Sequence, residues 1–318
     1  MNKTMITAVA ALFMLAPNLA DAKAQEINQQ LEIPANARVV IDTMRGEVDI
    51  LGADTNLAKV TGKLDVNAEG FIFELAGDTL TIKVKMPKRG NFSDNDGNDL
   101  VITLPKSVRV DAQSVSADFD VENFAGNMNI RTVSGDVDAK ALSGAVAIET
   151  VSGDIEADKL AGEIMLKSVS GDVSDDGSDS PRATYSTVSG DIEAKTNALV
   201  VRAEAVSGDV KLVLASVDSL HVNSVSGDVE LHTALNKQAR VNIETVSGSM
   251  QMKLAGALHA DINANANAGG KIINRLNDVT STKPKYGPGE SLSLQLGERS
   301  GSMRLSTVSG DIELSQQK

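Results

Sequence analysis

Residues 150–173 read TVSGDIEADKLAGEIMLKSVSGDV, and this stretch decides the fold. The tetrapeptide Val-Ser-Gly-Asp occurs in it twice, 18 residues apart, and a weaker copy, Leu160-Ala161-Gly162-Glu163, begins nine residues after the first. A repeat of this length is typical of solenoids, in which each unit buries its apolar face against its neighbours. The sequence therefore predicts half-coils of nine residues, two to a turn.

The motif recurs along most of the chain. Successive copies are 18 to 21 residues apart as far as Val246, and one further copy follows much later. The copies begin at Val115 (as Val-Ser-Ala-Asp), Val133, Val151, Val169, Val188, Val206, Val225, Val246 (as Val-Ser-Gly-Ser) and Val308. Because residues 305–314 restore the motif near the end of the sequence, we expect them to form the last rung of the stack.

Apolar and polar residues alternate within each unit. In Val151–Ala157, Val, Gly, Ile and Ala would face one way and Ser, Asp and Glu the other, which is the period of a β-strand. The central glycine fits two positions. It suits a corner that needs a positive φ, or an inward position where neighbouring backbones approach too closely for a side chain.

These patterns predict an all-β protein, a single elongated parallel β-solenoid (β-helix) with coils of about 18 residues. The repeats place the solenoid at 111–318. Residues 23–110 have strand-like runs without the regular step, and we predict that they form an N-terminal β cap that covers unpaired strand edges. Two interruptions, residues 175–181 and a long insertion near 264–289, are predicted to be loops that leave the stack.

Residues 1–22 have the pattern of a cleavable signal peptide. Lys3 precedes an apolar run from Met5 to Ala16, and small residues favour cleavage after Ala22, or after Ala24 as second choice. The apolar run is shorter than the roughly 20 residues that cross a bilayer, so no transmembrane anchor is expected after cleavage. Since the chain has no cysteine, it can carry neither a lipoprotein signal nor a disulfide. The sequence predicts a periplasmic or secreted protein.

Composition narrows the choice of partner. A net charge of −13 disfavours nucleic acid. Aromatic residues make up only 3% of the chain, and there is no tryptophan, so the apolar platforms usual in ligand pockets are scarce.

No residue pattern predicts a catalytic, cofactor-binding or metal site. His221, His232 and His259 are too few and too irregularly spaced to indicate zinc. No Gly-x-Ser-x-Gly elbow occurs. Residues 269–271, Gly-Gly-Lys, lack the Ser or Thr that follows the lysine of a phosphate-binding loop, because Ile272 stands there, and we expect a flexible loop.

An acidic row is the unusual feature of the sequence. The aspartates that share one motif position are Asp136, Asp154, Asp172, Asp191, Asp209 and Asp228. At a strand spacing of about 4.8 Å, neighbouring carboxylates repel by roughly 1 kcal/mol even in water. Either these side chains accept backbone hydrogen bonds, or cations bind between the coils. Asp172, Ser174 and Asp176 also match the opening of a calcium loop, but Ala183 replaces its twelfth ligand.

Two further stretches carry a family resemblance. Leu104-Pro105-Lys106-Ser107-Val108-Arg109-Val110 leads into the Val-Ser-Gly-Asp units, which close on residues 306–312. Over roughly residues 35 to 315 the chain resembles bacterial β-strand-repeat proteins known as "putative adhesins", a domain family of unknown function. The resemblance implies the repeat fold and assigns no catalytic position to this chain.

Three functions follow as hypotheses. The first is a non-enzymatic, adhesin-like envelope or secreted protein that contacts an unknown protein or a cell-surface polymer. The alternatives are a Ca²⁺-binding structural module and a carbohydrate-active β-helix enzyme.

Overall fold

A computed structural model describes residues 24–88 and 97–317. All regular elements in these ranges are β-strands, so the all-β prediction is confirmed. Within the same ranges, no helix has the length and apolarity needed to span a bilayer. The predicted signal peptide, residues 1–22, lies outside the described residues. The chain divides into two compact units, Met1–Glu149 and Thr150–Lys318.

Unit 1 has twelve strands in its described part. They are β1 (Glu26–Glu32), β2 (Arg38–Asp42), β3 (Arg45–Ala53), β4 (Leu57–Lys63), β5 (Gly70–Ala76), β6 (Thr79–Lys85), β7 (Asn98–Pro105), β8 (Arg109–Gln113), β9 (Ser116–Glu122), β10 (Met128–Arg131), β11 (Val137–Lys140) and β12 (Val146–Glu149).

Parallel pairing with an 18-residue register joins the later strands of unit 1. Val137 of β11 lies opposite Phe119 of β9, and Met128 of β10 lies between Val110 of β8 and Val146 of β12. The earlier strands differ. β2 lies between β6 and β8, β3 lies between β7 and β9, and the pairs β1–β4, β4–β7 and β5–β6 are antiparallel.

Unit 2 has thirteen described strands. They are β13 (Ile155–Asp158), β14 (Ala161–Lys167), β15 (Val173–Ser189), β16 (Ile192–Thr196), β17 (Val200–Ser207), β18 (Val210–Ser226), β19 (Val229–Ser247), β20 (Met250–Ala255), β21 (Ala260–Ala266), β22 (Ile272–Asn274), β23 (Glu290–Gln295), β24 (Gly301–Ser309) and β25 (Ile312–Gln316).

The strand order of unit 2 departs from chain order at one end. β24 pairs in parallel with β19 on one side and with β21 on the other, and β25 lies in the same way between β20 and β22. The rung of residues 301–316 is therefore inside the stack, and the prediction that it forms the last rung is wrong. The outer strands at this end are β22, which pairs with β25, and β23, which pairs antiparallel with β21.

In each of five successive rungs of unit 2, the residue that follows the motif aspartate lies in the core. These side chains are at most 1% exposed: Ile155, Val173, Ile192, Val210 and Val229. The motif valines were expected inside with them, and this was wrong, because they are 43–49% exposed. Two consecutive residues, Val and Ser, face outward where the chain turns a corner, so the inward alternation starts at the glycine.

Candidate functional site

The corners of the rungs in unit 2 form an exposed row of valine and serine. Both residues of each motif point outward, and the valines follow one another in register. In spatial order the valines are Val151, Val169, Val188, Val206, Val225, Val246 and Val308. Six steps of about 4.8 Å make this valine row roughly 29 Å long. Since apolar side chains normally scatter over a surface, a continuous row of this length is a candidate contact surface.

From Gly171 onward, each motif glycine lies against the glycine of the neighbouring rung. A Cβ built on Gly208 would be 2.0 Å from the carbonyl oxygen of Gly190, and one on Gly171 would be 2.1 Å from that of Gly153. The close approach is common to the row, whereas a positive φ occurs only at some members, such as Gly208 at +141°. The alternative of an inward position with close backbones therefore holds throughout.

Buried hydroxyls that precede some of the motif valines support the same corner. Ser168 donates to the carbonyl oxygen of Gly153 at 3.1 Å, and Thr187 donates to that of Gly171 at 3.2 Å. Sequence reasoning missed these residues, although a Ser or Thr precedes most motif valines and would have signalled them.

The acidic row is a hydrogen-bonded ladder. The Oδ1 atom of Asp154 accepts from the backbone N–H of Asp172 at 2.8 Å, and Asp172, Asp191 and Asp209 each accept in the same way from the next rung at 2.7–2.8 Å. Hydrogen bonds to ionised acceptors contribute about 1.5–3 kcal/mol, which offsets the repulsion between neighbours. The ladder thus has a structural explanation that needs no cation.

Residues 269–271 continue this ladder instead of forming a flexible loop, so that expectation was wrong. The backbone N–H of Lys271 donates to Oδ1 of Asp311 at 2.7 Å, and a Cβ on Gly270 would be 1.8 Å from the carbonyl oxygen of Gly310. Gly-Lys-Ile here replaces the Gly-Asp-Ile of other rungs and keeps the close glycine contact and the inward apolar residue.

The three histidines lie in separate places. His221 contacts Asn223 at 3.0 Å, His232 contacts Glu230 at 2.9 Å, and Nδ1 of His259 accepts from a backbone N–H at 3.0 Å. Among the described residues, the group of side chains close enough to share a metal contains no histidine.

The segment 175–181 does not leave the stack as a loop, contrary to the prediction. It belongs to β15, and Asp175 is buried, where it accepts hydrogen bonds from Tyr185 and Ser178. Burial raises the pKa of Asp175 above its usual value and raises the pKa of Tyr185 well above its own. Asp175 lies between Asp172 and Asp176 in the chain and points inward. The segment therefore does not form the loop that wraps a calcium ion.

One carboxylate cluster lies in unit 1. Oxygens of Glu47, Asp49 and Asp120 all lie within 4.8 Å of one another. Burial, followed by the charge of Asp120, raises the pKa of Asp49. The register of β3 on β9 places Asp49 opposite Asp120, which sequence reasoning could not see because the two are far apart in the chain.

Comparisons with known proteins identify a family. A family model described as Toastrack DUF4097 matches residues 36–284. Among curated proteins, no match was found.

Solved structures give weaker similarities. A "putative adhesin" from Parabacteroides distasonis ATCC 8503 has 12% identity and a TM-score of 0.44, with 73% of this chain and 94% of that chain covered. A "putative adhesin" from Bacteroides fragilis NCTC 9343 has 11% identity and a TM-score of 0.39. A "putative lipid binding protein" from Parabacteroides distasonis ATCC 8503 has 13% identity and the same TM-score. The last two comparisons each cover 91% of this chain and 96% of the other. TM-scores this low carry no argument about function.

Proposed function

Since this chain belongs to the Toastrack DUF4097 family, we propose that it is a non-enzymatic, exported β-solenoid that binds another protein or a cell-surface polymer through its repeated surface. The family match covers most of the chain and agrees with the resemblance in the sequence. The parallel 18-residue registers within each unit support the solenoid architecture.

The valine row is the observation that carries this proposal. An exposed valine stands at the Val-Ser corner of seven successive rungs of unit 2, where a serine or a charged residue would serve solubility better. The aspartates of the ladder flank the row, so a partner with neutral or positive groups beside an apolar strip fits it best, and nucleic acid does not.

The valine row can be tested by removing its centre. Val188, Val206 and Val225 are replaced together by Ser, and the matched control is Val279→Ser, which alters a valine 47% exposed in a loop outside the row. We expect capture of a partner from envelope extract by the purified protein to fall in the triple variant and to persist in the control. Equal capture by all three proteins would contradict a role for the row.

Export is the second part of the proposal. The basic residue, short apolar run and small residues at 1–22 support cleavage and release from the cytoplasm. Cell fractionation with N-terminal sequencing is the test. We expect a chain that begins at Lys23 or Gln25 outside the cytoplasm, and an uncut cytosolic chain would refute export.

Cation binding is the second candidate function. The carboxylates of Glu47, Asp49 and Asp120 favour it, since oxygen ligands suit calcium. Calorimetric titration with calcium tests it on the wild type and on Asp49→Asn. A binding heat that saturates in the wild type and disappears in the variant would support the calcium site. A titration without binding heat in the wild type would contradict it. Turnover of any member of a polysaccharide panel would instead overturn the non-enzymatic proposal.

A further inference from the structure

One face at the β23 end of unit 2 carries mainly amides and hydroxyls. Asp261, which lies opposite Gln295 on the same face, is paired with Arg299 at 2.7 Å. The other exposed side chains of this face are Asn263 and Asn265 on β21 and Ser291, Ser293 and Gln295 on β23. The antiparallel register places Asn265 opposite Ser291 and Asn263 opposite Ser293, so the five side chains share one surface. We call these five residues the amide face. It contrasts with the charged rows on the other strands of this unit.

A loop with an exposed tyrosine borders the amide face. Tyr286 is 83% exposed, more than any other large apolar side chain among the described residues. The loop and the face border an open pocket of about 370 Å³, whose lining includes Tyr286, Asn265 and Ser291 together with the ion pair of Lys283 and Glu290. The amino group of Lys285 lies 5.4 Å from the centre of the tyrosine ring but does not line the pocket. The ring therefore still presents part of its surface to the pocket.

The base of the loop is held in place. The buried carboxylate of Glu290 accepts from the backbone N–H of Ile272 at 3.0 Å and from the hydroxyl of Ser281 at 2.8 Å, and it pairs with Lys283 at 2.9 Å. These three donors lower the pKa of Glu290 to about 2.

A backbone pair adds to this anchoring. Thr282 and Ser291 exchange backbone hydrogen bonds of 2.8 and 2.9 Å. The pocket is therefore formed before any ligand arrives, which reduces the entropy cost of binding.

The chemistry of the pocket matches one ligand class. An amide offers two donors and an acceptor, and a hydroxyl offers both functions, so Asn265 and Ser291 can satisfy the hydroxyl groups of a sugar. An exposed aromatic ring supplies a flat apolar platform with a polar end. The cation in the pocket lining, Lys283, is already paired with the carboxylate of Glu290 at 2.9 Å, which disfavours a phosphate, and the five residues of the amide face form no apolar patch for an acyl chain.

We infer that the amide face and Tyr286 form a glycan-binding site that takes one chain of a neutral or weakly acidic polysaccharide. The inference rests on the proposed function and specifies a polymer as one partner and the place where it binds. Arg304 lies beside Asn263 across the pairing of β24 with β21, so a sugar carboxylate would meet a cation at that margin.

Direct binding measurements test the site. The probes are dextran, chitin oligosaccharides and polygalacturonate, titrated calorimetrically into the full protein and into Tyr286→Ala and Asn265→Ala. The matched control is Asn197→Ala, which removes an exposed asparagine from a turn elsewhere in the unit. We expect at least one polymer to bind, with affinity about tenfold weaker in both site variants and unchanged in the control.

The outcomes separate the site from the function. Binding that both site variants retain, or no binding of any probe, overturns the inference. In either case the proposed function survives if the valine-row variant still loses its envelope partner. If that variant also keeps or never shows a partner, both proposals fail. Equal melting temperatures of all variants exclude a loss of folding as the cause.

Discussion

The glycine row makes the sharpest quantitative prediction. Gly208→Ala would place a Cβ 2.0 Å from the carbonyl oxygen of Gly190, at a φ of +141°. That backbone region costs about 1–3 kcal/mol for a residue with a side chain. Relief of the clash must part the two rungs and weaken the hydrogen bond from the N–H of Asp209 to Asp191, now 2.7 Å, at roughly 1–2 kcal/mol. The expected loss is about 2–5 kcal/mol, a large part of a typical stability.

Two other glycines separate the causes. Gly171→Ala meets the carbonyl oxygen of Gly153 at 2.1 Å without a positive φ, and Gly256→Ala has a φ of +73° with no heavy atom within 4 Å. We expect the free energy of unfolding to fall by about 1 kcal/mol in Gly256→Ala, by more in Gly171→Ala and by most in Gly208→Ala. Denaturant unfolding of the three variants measures this order. If Gly171→Ala and Gly208→Ala were no more destabilising than Gly256→Ala, the close approach of rungs would not limit residue choice.

Three other perturbations test the remaining contacts. Deletion of residues 302–318 should leave β19 and β21 with unpaired edges, and light scattering should show association; a stable monomer would contradict the central place of that rung. Asp191→Ala should lose about 1–2 kcal/mol because it removes the acceptor for Asp209, whereas Asp191→Asn should change stability little, and equal losses in denaturant unfolding would refute the ladder. The pKa of Glu290 falls from 4.5 to about 2 on folding, so the ionised carboxylate stabilises the fold fully above pH 4.5 and loses this effect as the pH falls through 2. Melting curves of Glu290→Gln should lack this pH dependence.

Local patterns predicted the local structure well. The period of two and the 18-residue spacing indicated parallel strands in register, and Ile155 and Val173 lie opposite each other as that spacing requires. For the acidic row, the sequence left two explanations, backbone hydrogen bonds or bound cations. The bond from the N–H of Asp172 to Asp154 supports the first. These features follow from contacts between adjacent repeats, which a sequence shows directly.

Features that depend on distant segments were not predictable. The gap between Val246 and Val308 marks an insertion, but no local signal says that β24 returns to lie between β19 and β21. The outward valines were missed because the alternation slips by one residue at a corner. The pocket beside Tyr286 needs two strands and a loop that meet only in the folded chain.

The inner position of β24 and β25 sets an order for assembly. Residues 260–274 precede 301–316 in the chain, yet their parallel partner is the later segment, so they must wait for it during synthesis. The N–H of Asp311, for example, bonds to the hydroxyl of Ser249, 62 residues earlier. Closing such loops is entropically costly and slow compared with stacking one repeat on the previous one. The rungs before Val246 can therefore form progressively as the chain emerges, whereas β21 and β22 gain their parallel partners only in the last folding step.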